Sequence, residues 1–210
     1  MIRQTEWCVV IPLSPAGRAK SRLGSLGALR QRLALAFATD VAAAAASASS
    51  VGRVLLVGDG TIAVTDAELI DVGGADLNTA IAAGESEARK RGHDRVAVLV
   101  ADLPAARSDA IDELLRQART QPRAFVADHT NGGTTVLTTT GPALSPTFGP
   151  NSAARHRASG AVAIEVSMRL RIDVDVPEDL PLAQVYGLGP ATSAALGSDA
   201  EAAEAAVTRD

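Results

Sequence analysis

The stretch Arg95-Val96-Ala97-Val98-Leu99-Val100-Ala101-Asp102-Leu103-Pro104 runs from a continuous apolar segment straight into a carboxylate. A short unbroken apolar run without alternation suits a strand covered on both faces, as in a parallel sheet flanked by helices. Working outward, the chain alternates strands and helices. Residues 7–13 form an apolar run ended by Pro and Gly, the expected first strand. Leu26, Leu29, Leu33, Phe37 and Val41 recur at helical spacing with Arg30, Arg32 and Asp40 between them. Residues 53–57 read as a strand and 77–91 as a helix; Ser108 reads as the N-cap of a helix reaching about Arg119. Residues 124–127 and 134–138 read as strands joined by the turn His129-Thr130-Asn131-Gly132-Gly133. The order predicts an α/β fold with an open, doubly wound, mostly parallel sheet, whose ligands sit beyond the carboxyl ends of its strands.

Composition narrows the class. A chain of 210 residues that is 47% hydrophobic but only 2% aromatic fits one α/β domain with a core of Val, Leu, Ile and Ala. That domain is expected over residues 1–192, with an Ala- and Glu-rich tail, frayed or disordered, over 193–210. The net charge of −4 argues against nucleic acid as a partner, and no apolar stretch reaches the length of a membrane span. The start of the chain does not read as a signal peptide, so a cytoplasmic protein is expected. Cys8 lies within the first apolar run and reads as a buried free thiol.

The strand ends hold the chemistry. After the first strand, Arg18, Lys20 and Arg22 stand where cations and backbone N–H groups could surround a polyphosphate. This is no Walker A loop, because Ala19 occupies the position of its second glycine. Asp102 stands just past the central strand, where a nucleotide-bound Mg²⁺ would need an oxygen ligand; its competing role is a loop or helix cap. Asp173-Val174-Asp175 offers two further carboxylates, placed on one face by extended alternation, while Glu178 and Asp179 read as first-turn acids of a following helix. A third constellation, Phe148-Gly149-Pro150-Asn151-Ser152, precedes a helix that stops at Gly160. Gly149 permits close backbone approach there, and Ser152 offers a hydroxyl and an N–H to a small phosphate, with a plain capped helix as the alternative. His93, His129 and His156 lack metal-ligand spacing and read as non-catalytic surface or structural residues.

Six segments in order, Ala19-Lys20-Ser21-Arg22-Leu23, Leu77-Asn78-Thr79-Ala80, Ala101-Asp102-Leu103-Pro104, Gly133-Thr134-Thr135, Phe148-Gly149-Pro150-Asn151-Ser152 and Asp173-Val174-Asp175, together resemble the guanylyltransferases of deazaflavin coenzyme (coenzyme F-420) biosynthesis. The resemblance spans residues 11–192 and implies a MobA-like nucleotidyltransferase fold. It further implies GTP as donor, Mg²⁺ as cofactor, and a phosphorylated three-carbon acid, phosphoenolpyruvate or 2-phospho-L-lactate, as acceptor. Carried onto this sequence, it assigns acceptor binding to Thr134, Gly149 and Ser152 and metal binding to Asp102, Asp173 and Asp175. Lys20 and Arg22 are the candidates for the triphosphate and, with Asp102, for catalysis. Ser14 stands where such proteins usually carry a lysine, and Arg18 is the candidate replacement. The Ala- and Arg-rich composition, with Ser152-Ala153-Ala154-Arg155-His156-Arg157, resembles actinobacterial members of the family, and by that analogy phosphoenolpyruvate is the favoured acceptor. The product would pass to a downstream transferase, and a homodimer is compatible with this reading. The contrasting classes are a nucleotidyltransferase acting on a sugar phosphate or molybdopterin-type cofactor, and a non-catalytic nucleotide-binding module.

Overall fold

Strand β1 (Trp7–Pro12), buried along its whole length, forms the centre of the computed structural model, which describes residues 6–13, 29–60 and 64–207. It pairs in parallel with β2 (Val51–Gly58) on one side and β4 (Val96–Leu99) on the other. Beyond β2 lies β3 (Glu68–Asp71); beyond β4 come β6 (Thr134–Thr139), β5 (Arg123–Ala127) and β7 (Val162–Ala163), giving the order β3-β2-β1-β4-β6-β5-β7. Among the described strands β6 alone runs against its neighbours, so the sheet is open and mostly parallel. The order reverses between β1 and β4, because the chain moves outward to β3 and then returns to the other side of β1. Ligands of such sheets bind at the carboxyl ends flanking this reversal.

Alternation along β1 divides the core. Trp7, Val9 and Ile11 face α1 (Leu29–Ala46) and α3 (Ser108–Ala118), where they meet Val41, Ala45, Ile111 and Leu115. Cys8 and Val10 face α2 (Leu77–Lys90) and α4 (Ser152–Ala158) through Ile81, Ala88 and Ala153. Helices therefore cover both faces. Cys8 is fully buried, and that burial pushes its thiol up to about 12. No helix among the described residues is long and apolar enough to cross a membrane.

A third apolar cluster lies off the sheet. Leu29, Leu33 and Phe37 of α1 enclose Ile172, Val174 and Ala183, with Leu188, Ala195 and Leu196 packed against them. These last residues belong to the chain around α5 (Asp179–Val185) and α6 (Pro190–Val207). The segment expected as a tail from residue 193 thus begins inside a helix whose first turns are seated on α1. Buried Asp40 of α1 caps that helix, accepting from Ala191 N at 2.9 Å, Thr192 N at 2.8 Å and Thr192 Oγ1 at 2.6 Å.

Three local readings need correction. The short strands β3 and β7 are not legible as apolar runs, since their residues are exposed or half-buried. Ser108 is the first residue of α3; Arg107 occupies the cap position and makes no side-chain cap bond. Glu178 occupies the cap position of α5 rather than its first turn, and Asp179 is the first residue of that helix.

Gly84 sets how closely α2 approaches the sheet. A Cβ there would lie 2.5 Å from Val10 Cγ1 and 2.9 Å from Val57 Cγ2. Gly84→Ala gains up to about 1 kcal/mol of helix propensity, but overpacking a core costs about 1–3 kcal/mol. Urea unfolding should therefore report a net loss of stability, and a gain would show that α2 can lift off without penalty.

Candidate functional site

The acidic half of the site is assembled by backbone pairing. Past β4, the Asp102 carbonyl accepts a hydrogen bond from Val174 N at 3.0 Å, which lays residues 172–175 against the strand end. Ile172 and Val174 are buried in the α1 cluster, so Asp173 and Asp175 emerge on the opposite side, as the alternation predicts. Asp179 does more than favour a helix dipole. Its Oδ2 accepts from Asp175 N at 2.9 Å and Val176 N at 3.0 Å, fixing the backbone that carries Asp175. Arg171 anchors the other end. Its guanidinium donates to the carbonyls of Ala127 and Asp128, both at 3.1 Å, to Asn131 Oδ1 at 2.8 Å and to Glu165 Oε2 at 3.1 Å.

Held in this way, the carboxylates crowd one another. Burial first, then the charges of Asp102 and Asp175, push the Asp173 carboxyl up to about 8. His129 Nδ1 lies 3.9 Å from Asp173 Oδ1. Among the described residues, no three His, Cys, Asp or Glu side chains converge as a ready metal cage. The donor set fits a hard divalent cation of the Mg²⁺ kind, which takes one or two carboxylates and completes its shell with water and ligand phosphates. Such a cation would also relieve the charge crowding at Asp173.

The second half of the site is a loop held by side chains from other elements. Asn78, in the first turn of α2, brackets Phe148: Oδ1 accepts from Phe148 N at 2.8 Å, and Nδ2 donates to Phe148 O at 3.2 Å. Arg155 donates from Nε and Nη2 to Thr147 O at 3.1 and 2.7 Å, and from Nη1 to Pro150 O. Gly149 has φ of +120°, a conformation that favours glycine. Ser152 N donates to Gly149 O at 3.0 Å, so the N–H expected to face a ligand is already used, and Ser152 can contribute its hydroxyl. Helix α4 is only seven residues long, which limits any contribution from its dipole.

Thr134 joins this loop through His156. Thr134 Oγ1 lies 2.9 Å from His156 Nδ1, and Thr147 N donates to His156 Nε2 at 3.0 Å. His156 is fully buried, so the expectation of a surface or structural residue narrows to a buried one. The structure thus gathers Thr134, Gly149 and Ser152 around one loop. The turn before β6 connects it to the acidic half. Asp128 accepts from Gly132 N at 3.0 Å, Gly133 N at 2.6 Å and Thr130 Oγ1 at 2.9 Å, while Gly132 O accepts from Ala153 N at 3.3 Å. The same turn meets Arg171, whose carbonyl accepts from His129 N at 2.7 Å.

Lys20 and Arg22, with Ser14 and Arg18, lie outside the described residues. What is described is the chain leaving β1 at Leu13, whose N–H donates to Val57 O at 2.7 Å, beside the β4 end that leads to Asp102. Sequence reasoning passed over Asp128 and Arg171, read Asp179 only as a first-turn acid, and noted Asn78 only within a motif. Their bonds to backbone groups leave little trace in residue type.

A mostly parallel sheet that reverses between β1 and β4, with acidic residues beyond the latter, defines a nucleotidyltransferase-type α/β fold. A protein of Desulfovibrio desulfuricans G20 described as a nucleotide-diphospho-sugar transferase superimposes with a TM-score of 0.66 at 16% identity, covering 93% of this chain and 96% of its own. More particularly, the chain belongs to the guanylyl transferase CofC-like family, whose model matches residues 7–197. It is 42% identical to a phosphoenolpyruvate guanylyltransferase of Streptomyces scabiei, over 90% of this chain and 95% of that protein. It is 40% identical to a protein of the same name from Geodermatophilus obscurus, over 95% and 98%.

The Asn78 bracket is directly testable. Asn78→Ala leaves the N–H and C=O of Phe148 without their partners, at a cost of about 1–3 kcal/mol. Hydrogen exchange should show the Phe148 amide losing protection while the amides of β1 keep theirs. Unchanged exchange at Phe148 would mean that Arg155 and Glu85, which accepts from Leu144 N at 3.0 Å, suffice to hold the loop.

Proposed function

We propose that this protein transfers the guanylyl group of GTP to the phosphate of phosphoenolpyruvate, releasing pyrophosphate. The observation that carries the reading is the similarity to phosphoenolpyruvate guanylyltransferases, 42% and 40% identical over 90% and 95% of this chain, whose geometry supplies separate acidic and loop sites. The acceptor needs no general base. A phosphate monoester has a second pKa near about 6 and is largely dianionic at neutral pH. One of its oxygens forms a bond to the α-phosphorus as the bond to the β-phosphate oxygen breaks, and the electron pair leaves with pyrophosphate.

The residues serve mainly to hold two polyanions in line. Thr134, Gly149 and Ser152 are assigned to the acceptor, through two hydroxyls and a glycine that leaves room for close approach. Lys20 and Arg22, which follow the end of β1, are assigned to the triphosphate. Asp102, Asp173 and Asp175 are the carboxylates from which Mg²⁺ would draw one or two ligands, and when bound it would neutralise phosphate charge and orient the donor. The absence of a Ser-His-Asp or Cys-His requirement agrees with this division of labour.

Pyrophosphate release should be greatest with GTP and phosphoenolpyruvate when each nucleotide is tested against phosphoenolpyruvate and 2-phospho-L-lactate. Equal turnover with ATP, or none with either acid, would overturn the proposal. Asp102→Asn and chelation of divalent cations should each lower turnover by about two orders of magnitude or more. Full activity under either condition would remove the metal assignment.

The two anion sites can be separated by titration calorimetry. Ser152→Ala should weaken phosphoenolpyruvate binding by about 10- to 100-fold while leaving GTP affinity largely intact, and Lys20→Ala should show the converse. A folded Ser152→Ala protein that loses GTP and keeps phosphoenolpyruvate would reverse the assignment.

A further inference from the structure

His156 makes two hydrogen bonds, and one of them fixes the direction of the other. A backbone N–H can only donate, so the bond from Thr147 N at 3.0 Å requires Nε2 to present its lone pair. A neutral imidazole then carries its proton on Nδ1, which lies 2.9 Å from Thr134 Oγ1. The histidine therefore donates and the threonine hydroxyl accepts, leaving the hydroxyl proton of Thr134 uncommitted. Neighbouring Thr135 differs, because its hydroxyl donates to Leu170 O at 2.6 Å.

The surroundings keep the ring neutral and in place. Burial, followed by the charges of Arg155 and Arg123, lowers its pKa to about 4. Phe148 meets the ring edge-on at 5.1 Å between centroids, and Phe125 lies at 6.1 Å. In the opposite tautomer the threonine would donate to the histidine and turn a lone pair toward any ligand, which disfavours an anion.

We propose that His156 is a positioning residue that sets the polarity of the Thr134 hydroxyl, so that it donates its proton to an anionic oxygen of the acceptor. This rests on Thr134 being an acceptor contact, the reading given above. It adds a role for a buried histidine that does not touch the substrate.

The tautomer can be read without turnover. Long-range ¹H–¹⁵N spectra of the labelled protein at neutral pH should show Nδ1 protonated and Nε2 bare. The reverse tautomer or an imidazolium would overturn the proposal while leaving the acceptor-site reading untouched. Kinetics supply the second readout. His156→Asn can place an amide N–H near the Nδ1 position and keep the bond to Thr134, whereas His156→Gln can reach the Nε2 position and serve Thr147 instead. His156→Gln should raise the acceptor KM about 10-fold with the GTP KM unchanged, and His156→Asn should stay near wild type.

Adding His156→Gln to Thr134→Val should raise the acceptor KM no further than Thr134→Val alone. Equal effects of the Asn and Gln variants, or matched changes in both KM values, would mean a purely structural role and defeat the proposal. If Thr134→Val leaves the acceptor KM unchanged, the acceptor-site reading fails and the proposal with it, even with the expected tautomer.

Discussion

The hydrogen bond from Val174 N to the Asp102 carbonyl, at 3.0 Å, joins two segments that electrostatics would separate. Each brings carboxylate charge to the same place, and the mutual effect is visible at Asp173, whose carboxyl is pushed up to about 8. Something must outweigh that repulsion. Apolar burial of Ile172 and Val174 fixes one side of the extended segment, and Asp179 and Arg171 fix its two ends through backbone groups. Charge is thus concentrated by forces that act on uncharged atoms. The proximity of these carboxylates is imposed by apolar packing and by backbone hydrogen bonds.

The loop site follows a different rule. Its backbone forms no regular structure over residues 144–149, so its polar groups need partners from elsewhere. Asn78 supplies two to Phe148, Arg155 meets the carbonyls of Thr147 and Pro150, His156 meets Thr147 N, and Glu85 meets Leu144 N. These side chains come from α2 and α4, the two helices packed on the same sheet face. Their common support makes the loop stiff without making it helical or extended. The Asp128–Gly133 turn then connects this loop to the acidic segment, because it contacts both Ala153 and Arg171.

Legibility followed the nature of the contacts. Strands β1 and β4 were readable because both faces are covered and their residues form apolar runs. Helix α3 was placed from Ser108, which is its first residue rather than its cap, and its buried stripe is Ile111, Leu114, Leu115 and Ala118. Edge strand β3 escaped because Glu68 and Asp71 flank only two apolar residues. In the site, alternation around Val174 was visible because one side is apolar. The roles of Asn78 and Arg171 were hidden because they bond to backbone atoms 70 and 43–44 residues away in sequence. Ser152, singled out for its hydroxyl and its N–H, hid the fact that the N–H closes the turn onto Gly149.

The C-terminal part of the chain bears on the site through the same cluster that holds the acidic segment. Gly189 N donates to Pro104 O at 2.8 Å, two residues past Asp102, and Arg107 donates to the carbonyls of Gly187 and Leu188 at 3.0 and 2.9 Å. A Cβ at Gly189 would collide with the Asp40 carboxylate that caps α6, so the close approach of this segment to α1 needs glycine. Leu188, Ala195 and Leu196 then close the cluster of Leu29, Leu33, Phe37, Ile172 and Val174. Helix α1 begins directly after residues 14–28, which include Lys20 and Arg22, while Ile172 and Val174 flank Asp173. The helix that follows the basic segment and the backbone that carries the acidic one therefore share an apolar core. Packing there couples their positions, so a change that loosens α6 from Asp40 would disturb the acidic segment before it disturbed the central strands.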